Sequence, residues 1–200
     1  MNSREYIKKF VNSFTLILVF SYILSINLVY PKFSIISIGI QLSFISAYIF
    51  FFHILLHKLP NVSLNYHMYS HHNKNLKIPR WLELIGEFIC DVSFAIPLIA
   101  LKYFFNIPYL SYTLILFIII WYSTGHVINQ SLIYSSEPNS EHKVHHTEQI
   151  YNFGPAYMDM IFGTLKSYKY EIMVYEINNG IILFLLFYVA SNVGHFSLQV

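Results

Sequence analysis

Long uncharged apolar runs dominate the pattern of hydrophobic and polar positions along the chain. The first covers 22 residues from Phe10 to Pro31, and after Lys32 the second extends from Phe33 to Phe52. A helix needs about 20 apolar residues to cross a hydrocarbon core of about 30 Å, and proline disfavours a continuing helix because it lacks a backbone N–H. The pattern therefore predicts two membrane helices that form an N-terminal hairpin.

Three further apolar segments follow this hairpin. Leu84–Leu101 carries Glu87 and Asp91 in its first half, so its fully apolar part is short. Tyr103–Gly125 is uncharged over 23 residues, and Gly180–Ala190 is a shorter run that suits either a fifth span or a helix buried against the others. We expect an all-α integral membrane fold with four transmembrane helices in two hairpins and a possible fifth C-terminal helix.

Two prolines bear on the second hairpin. Pro108 follows Asn106-Ile107 and predicts the turn there, whereas Pro97 lies inside the third helix and is a candidate site for a kink. We expect one membrane domain, because the length suits a single domain. Its predicted parts are the first hairpin (1–56), a cytosolic segment (57–83), the second hairpin (84–126), a cytosolic cap (127–176) and a C-terminal apolar helix (177–200).

The composition agrees with a membrane protein and excludes other classes. Hydrophobic residues make up 56% of the chain and charged residues 11%, against about 25% charged in soluble domains. Twelve basic residues nearly balance ten acidic ones, which argues against nucleic-acid binding. Cys90 is the only cysteine, so neither an intrachain disulfide nor a thiolate zinc site is expected.

The basic residues predict the orientation in the membrane. Lys and Arg prefer the cytoplasmic side, and with the N-terminus inside only Lys32 and Lys102 of the twelve lie outside. The same threading puts nine of the ten histidines on the cytoplasmic side, with His195 as the exception. The first apolar run is too long for a signal peptide, so we expect a retained anchor in a bacterial inner membrane or the ER.

The histidines form short groups with helical spacing. His53 and His57 are four residues apart and share a helix face, as do His67 and His71. In an α-helix His72 would point about 100° away from His71, a geometry that can serve two metals. Neutral imidazoles packed together in this way are typical of a metal site, because the metal requires the unprotonated form.

The whole set exceeds one coordination sphere and predicts two metal ions. Ligands that are nearly all imidazole suit Fe, Zn, Cu or Ni rather than Mg or Ca. The chain has neither the HExxH helix of zinc proteases nor the GxSxG turn of serine hydrolases. The predicted ligands are His53, His57, His67, His71, His72, His126, His142, His145 and His146.

Polar residues near these groups are candidates for holding the imidazoles in position. Glu87 and Asp91 lie deep in a predicted span, where an ionisable group is costly without a role. Glu83 precedes them on the same face and suits either that role or a water-facing interfacial position. Gln130 follows His126 by four residues, and Asp159 is a candidate orienting group near the last histidines.

The order of the histidine groups, together with the tail that follows them, carries a resemblance. The tail has N-F-G at residues 152–154 and D-x-x-F-G-T at residues 159–164. The pattern resembles the fatty acid hydroxylase superfamily, also called the sterol desaturase family, over about residues 50–166. The resemblance implies four membrane helices in two hairpins under a cytosolic cap, a histidine-ligated dimetal centre and O2-dependent C–H chemistry on a lipid.

The chain departs from the family pattern at two positions. The second group usually reads HxxHH, which would put its first histidine at Met68, whereas here it is His67. Some members have a further histidine where Gln130 stands, so the site has nine imidazoles, or Gln130 ligates weakly through oxygen.

The resemblance implies two iron ions, with zinc a possible occupant in purified protein, and a lipid substrate that reaches the site from the bilayer. Hydroxylation and desaturation stay equally open. No dinucleotide-binding motif is present, so electrons are expected from an external ferredoxin, cytochrome or reductase. The lipid head is expected near the basic residues Lys74, Lys77 and Arg80.

The sequence leaves other functions open as alternatives. A carotenoid hydroxylase or a plasmanyl-type desaturase would use the same centre on another substrate. A non-catalytic metal- or lipid-binding membrane protein would keep the metals without turnover. A metal transporter is disfavoured, because it needs ionisable ligands near the bilayer midplane and these histidines lie at one end of the spans.

Overall fold

A computed structural model of the chain describes residues 3–28, 33–60, 62, 65–73, 77–127, 141–166 and 172–193. These residues form helices and connecting turns and contain no strand, which confirms the predicted all-α class. The helices are α1 (Ser3–Leu28), α2 (Ile35–Lys58), a π-helical turn (His67–His71), α3 (Arg80–Ser93), α4 (Ala95–Phe105), α5 (Tyr112–Thr124), α6 (Glu141–Thr147), α7 (Ala156–Phe162) and α8 (Ile172–Val193).

Helix α2 carries the first two histidines at its C-terminal end. It begins after Ser34, whose hydroxyl accepts a hydrogen bond from the Ser37 N–H at 3.2 Å, a typical N-cap. The helix continues six residues past Phe52, where the predicted span ends, and so includes His53 and His57. Its outer face exposes a stripe of large apolar side chains along its length, as expected where a helix faces lipid. The stripe consists of Ile36, Ile40, Phe44, Phe51 and Leu55.

Helices α3 and α4 together form one apolar helix that is interrupted at Phe94. Pro97 lies three residues further on, and a proline has no N–H for a bond to the carbonyl four residues earlier, here that of Ser93. The interruption thus lies beside Pro97, and a kink at this proline stays a prediction. Glu87 and Asp91, both fully buried, lie on the inner face of α3, whereas Ile85 and other apolar residues are exposed on its outer face.

The turn between the third and fourth predicted helices corrects one boundary. Helix α4 continues to Phe105 and ends at Asn106, which adopts a left-handed conformation with φ of 45°. Helix α5 begins only at Tyr112, after the N-cap Ser111, and has 13 residues. The prediction that the fourth span begins at Tyr103 is therefore wrong, because an uncharged run of residues continues through the turn.

Helix α5 lies at the centre of the bundle and packs against α1, α2, α3, α4 and α8. Buried residues cover nearly its whole circumference, including Leu114, Ile115, Phe117 and Ile118, as in a helix that is surrounded by others. The central position of α5 brings His126, just beyond its C-terminal end, to the end of the bundle that also holds the end of α2.

Within the described residues, two helices are long and apolar enough to cross a membrane, residues 35–58 and the interrupted helix 80–105. Shorter apolar helical segments cover residues 10–25, 112–127 and 180–190. Each of the five predicted apolar runs thus contains a helix within the described residues. The arrangement as four spans in two hairpins, the cytosolic cap and the division into segments stay predictions.

Candidate metal centre

Histidines from four parts of the chain meet at one end of the bundle. His53 and His57 come from the end of α2, and His126 lies just after α5. The π-helical turn contributes His67 and His71, with His72 directly after it, and helix α6 contributes His145 and His146. Gln130 and the side chain of His142 lie outside the described part of the chain. The eight imidazoles brought together are those of His53, His57, His67, His71, His72, His126, His145 and His146.

A first cluster consists of His53, His57, His67 and His145. The Nε2 atom of His67 lies 2.9 Å from that of His53 and 3.1 Å from that of His57. The Nε2 atom of His57 lies 3.2 Å from those of His53 and His145. Four ring nitrogens from three segments therefore converge on one point.

The outer ring nitrogens of this cluster show which tautomers are present. The Nδ1 atom of His53 lies 2.6 Å from the Phe153 carbonyl oxygen, and that of His145 lies 2.7 Å from the Tyr151 carbonyl oxygen. A carbonyl oxygen only accepts, so each Nδ1 carries the proton and each neutral ring has a lone pair on Nε2. The Nδ1 atom of His67 likewise donates to Glu87 Oε1 at 2.7 Å.

These tautomers make the cluster fit a metal ion. The Nε2 lone pairs of His53 and His67 face each other at 2.9 Å, an unfavourable contact unless a cation lies between them. Nitrogen ligands about 2.1 Å from one ion are about 3.0 Å apart in octahedral and about 3.4 Å apart in tetrahedral geometry. The observed 2.9 to 3.2 Å therefore agrees with ligands around a single ion.

A second cluster lies beside the first and consists of His71, His72 and His146. The Nε2 atoms of His71 and His146 are 2.9 Å apart. His126 belongs to the same region, since a ligand atom of its ring lies within 4.8 Å of His71 and Glu87. His72 also contacts the first cluster, because its Nε2 lies 3.2 Å from that of His67. Two adjacent groups of imidazoles thus share one buried region.

The π-helical turn changes how the second histidine group is presented. The His72 N–H bonds to the His67 carbonyl at 3.2 Å, the i to i+5 pattern of a π-helix. This wider turn brings both His71 and His72 toward His67, with ring centroids 5.3 and 4.8 Å from it. The expectation of an α-helical turn at His67–His71 is therefore wrong.

Carboxylates on α3 hold two of the imidazoles. Glu87 Oε1 accepts from His67, and its Oε2 lies 3.8 Å from the Nδ1 of His71. Asp91 Oδ2 lies 2.9 Å from the Nδ1 of His126. A carboxylate in this position fixes the orientation of a ligand imidazole and raises its basicity. Glu83 pairs with Arg80 at 2.5 Å, and its carboxylate lies 3.9 Å from the Nδ1 of His71.

Burial keeps the imidazoles outside the apolar helices neutral. The pKa values of His67, His72 and His145 are lowered well below the usual value, first by desolvation and then by neighbouring histidines. Because a metal ligand must be unprotonated, these rings are in the ligating form at neutral pH.

Some residues at the site were not found by sequence reasoning. Tyr122 on α5 donates from Oη to the Phe153 carbonyl at 3.2 Å and lies 2.8 Å from the Nδ1 of His53. The sequence signal for Tyr122 is its position four residues before His126. With 17 tyrosines in the chain, this spacing alone does not single it out. The carbonyl groups of Tyr151 and Phe153 were also missed, because a backbone acceptor leaves no residue-type signal. Asp159 accepts hydrogen bonds from the loop that carries these carbonyls.

Apolar helices that end in histidine clusters are typical of a helical membrane protein with a site that could hold metal ions. A family model agrees with this class, since the fatty acid hydroxylase model matches residues 38–164 of the 200. The chain therefore belongs to the fatty acid hydroxylase family, which confirms the resemblance seen in its histidine groups and tail. Searches of curated proteins and of solved structures each gave no significant match.

Proposed function

We propose that the protein is a membrane-bound, non-haem di-iron oxygenase that hydroxylates or desaturates a lipid with O2 and electrons from an external donor. The observation that carries the proposal is the pair of adjacent imidazole clusters, in which the unprotonated Nε2 atoms of His53 and His67 face each other at 2.9 Å. Membership of the fatty acid hydroxylase family supports an oxidoreductase that acts on lipids.

Each cluster would hold one ion. When bound, the two irons supply O2 activation and removal of hydrogen from an unactivated C–H bond. Zinc binds the same nitrogens without redox chemistry, so purified protein that contains zinc would be inactive. One ion would be held by His53, His57, His67 and His145, and the other by His71, His72, His126 and His146. His142 stays a predicted ligand from the sequence.

The residues of the chain orient the ligands, balance their charge and exclude water. Eight neutral imidazoles bring no charge to two dications, whereas buried Glu87 and Asp91 bring two negative charges beside them. Through their hydrogen bonds to the Nδ1 atoms of His67 and His126, these carboxylates aim the Nε2 atoms inward. The surrounding helices bury five of the eight imidazoles and partly bury those of His57, His72 and His146, which limits the access of water to a reactive centre.

The apolar surface beside the clusters suits a lipid substrate. The Phe153 ring centroid lies 5.4 Å from that of His57 and 5.6 Å from those of His53 and His145. Phe50 packs against Phe153 and stacks on Phe162, which is 46% exposed on the outer surface. Aromatic side chains thus connect the first cluster with the exposed apolar surface, where an acyl or related chain would approach.

The proposed partners and location follow from the charge distribution. The positive-inside preference puts the histidine end of the bundle on the cytoplasmic side, where a ferredoxin, cytochrome or reductase would deliver electrons. Lys77 and Arg80, near the start of α3, would contact an anionic lipid head at the same end.

Turnover in the presence of 18O2 tests the proposal. The protein in detergent would be loaded with Fe(II), supplied with a ferredoxin system and mixed lipids, and the products would be analysed by mass spectrometry. A lipid with one added 18O identifies a hydroxylase, and loss of two hydrogens identifies a desaturase. Either product should disappear in the variant His145→Ala/His146→Ala and persist in the matched control His195→Ala. Iron-loaded protein without either product would favour a non-catalytic metal- or lipid-binding role.

The same experiment separates the substrate classes. Carotenoids and plasmanyl lipids would be supplied in parallel with fatty acyl lipids and sterols, because the centre alone does not distinguish among them. The class that is oxidised by the wild type, and not by the histidine variant, is the substrate class.

A further inference from the structure

We infer that the loop at residues 151–154, called here the carbonyl loop, positions two metal ligands through its backbone, and that Asp159 is the positioning residue that holds it. The inference rests on the metal centre proposed above. It assigns a role to the N-F-G and D-x-x-F-G-T motifs, whose residues lie beyond the histidine groups.

The carbonyl loop contacts imidazoles from two different helices. The Phe153 carbonyl accepts from the Nδ1 of His53 on α2, at 2.6 Å, and the Tyr151 carbonyl accepts from the Nδ1 of His145 on α6, at 2.7 Å. These two bonds determine which nitrogen of each ring carries the proton. They also aim both Nε2 atoms into the first cluster. Small displacements of the loop would therefore misdirect two ligands at once.

Asp159, on α7, holds the centre of this loop. Its Oδ1 accepts from the Phe153 N–H at 2.8 Å and from the Thr164 hydroxyl at 2.7 Å. Its Oδ2 accepts from the Gly154 N–H at 2.6 Å. An ionised carboxylate offers acceptors on both oxygens, whereas an asparagine amide would turn an NH2 group toward one of these donors. The carboxylate of Asp159 thus fixes the backbone of the carbonyl loop.

Other residues of the two motifs hold the same conformation. Asn152 has a positive φ of 56°, a region in which Asn is among the favoured non-glycine residues. Its side chain accepts from the Lys166 N–H and donates to the Lys166 carbonyl, both at 2.7 Å. Gly154 has φ of 65°, and a Cβ there would lie 3.0 Å from Tyr122. A side chain at Gly154 would therefore strain the loop where Tyr122 contacts it.

The experiment compares Asp159→Asn with the matched control Glu148→Gln. Glu148 is an exposed acid of the same region that pairs with the Lys166 ammonium at 2.6 Å, so its glutamine variant removes a charge and leaves the hydrogen bonds of Asp159 to the loop in place. Metal-free protein labelled with 15N-histidine reports the tautomer of each ring. Signals would be assigned with the single variants His53→Gln and His145→Gln. Chelator competition then measures the affinity for Co(II) as the probe ion.

In Asp159→Asn we expect the Nδ1–H population of His53 to fall and the Co(II) affinity to fall by about tenfold, while the ion count at saturation stays that of the wild type. Glu148→Gln should match the wild type in both measurements. A role confined to folding would lower the melting temperature and leave tautomers and affinity unchanged. Tautomers and affinity equal to those of the wild type would overturn the inference.

A second pair of variants covers the case in which Asp159→Asn does not fold. Thr164→Val removes the hydroxyl that donates to Asp159, whereas Thr164→Ser keeps it. We expect weaker Co(II) binding, by about threefold to fivefold, only in the valine variant. Equal affinity in the two would contradict the inference. If the wild type binds no metal, the metal centre is wrong, but the tautomers of His53 and His145 in the metal-free variants still test the carbonyl loop.

Discussion

The two sides of the metal centre hold their histidines by different means. On the α3 side, carboxylates accept from His67 and His126. On the opposite side, backbone carbonyls of residues 151–154 accept from His53 and His145. A carboxylate adds a negative charge beside its imidazole, whereas a carbonyl fixes the tautomer and the orientation of the ring without adding a charge. The comparison separates two functions, charge balance and alignment, that are often assigned together to the residues behind metal ligands.

The largest expected effect comes from removing charge on the carboxylate side. Glu87→Gln keeps the size and the acceptor for His67 but removes a charge that is fully buried. We expect the metal affinity to fall by about 10- to 100-fold. Chelator competition measures this change. The metal-free variant should unfold at a temperature no lower than that of the wild type, because a buried carboxylate is itself costly.

Glu83→Gln is the matched control for this prediction. Glu83 lies one helical turn before Glu87, pairs with Arg80 and lies 3.9 Å from His71. A smaller loss of affinity than in Glu87→Gln would agree with a mainly interfacial role for Glu83. Equal losses would show that burial of the charge does not determine its effect.

A smaller and more selective effect is expected at Asp91. Its contact is with His126, at 2.9 Å, which belongs to the second cluster. Asp91→Asn should weaken one of two bound ions by about tenfold and leave the other within about twofold of the wild type. Stepwise titration with Co(II), followed by its absorption bands, resolves the two ions. Equal weakening of both would show that the two clusters do not bind independently.

The smallest expected effect lies on the carbonyl side. Tyr122→Phe removes the hydroxyl that donates to the Phe153 carbonyl at 3.2 Å, while His53 keeps its own bond to that carbonyl. The lost hydrogen bond is worth about 1 kcal/mol and acts on His53 through the Phe153 carbonyl. We therefore expect the metal affinity to fall by at most about fivefold. The same chelator competition measures it. A loss as large as that of Glu87→Gln would remove the distinction between charge balance and alignment.

The sequence predicted which segments are helical better than it predicted the residues at which the helices begin and end. Apolar runs identified all five apolar helical segments, because helices that must be buried or face lipid carry that pattern over many residues. The boundary at Tyr103 was wrong because the turn at Asn106 contains no charge to interrupt the run. The burial of α5 among five neighbours could not be predicted, since a helix inside a bundle and one in lipid are equally apolar.

Some features of the candidate site were likewise predicted from the sequence, and others were not. Spacing of four residues on a helix predicted that His53 and His57 act together, and the structure brings them to one cluster. Glu87 and Asp91 were predicted to act at the site because an ionisable group inside an apolar segment is costly unless it has a role. The π-helical turn at His67 and the carbonyl acceptors were not predictable, because both depend on backbone conformation rather than on residue type.

The number of iron ions bound per chain tests the central claim most directly. The protein in detergent would be stripped of metal, reconstituted anaerobically with Fe(II) and freed of excess iron, and its metal and protein contents would be measured. Two adjacent imidazole clusters predict close to two ions per chain in the wild type and a clear loss in His145→Ala/His146→Ala, with His195→Ala unchanged. Fewer than one ion per chain in the wild type, or equal amounts in the wild type and the double variant, would contradict the account.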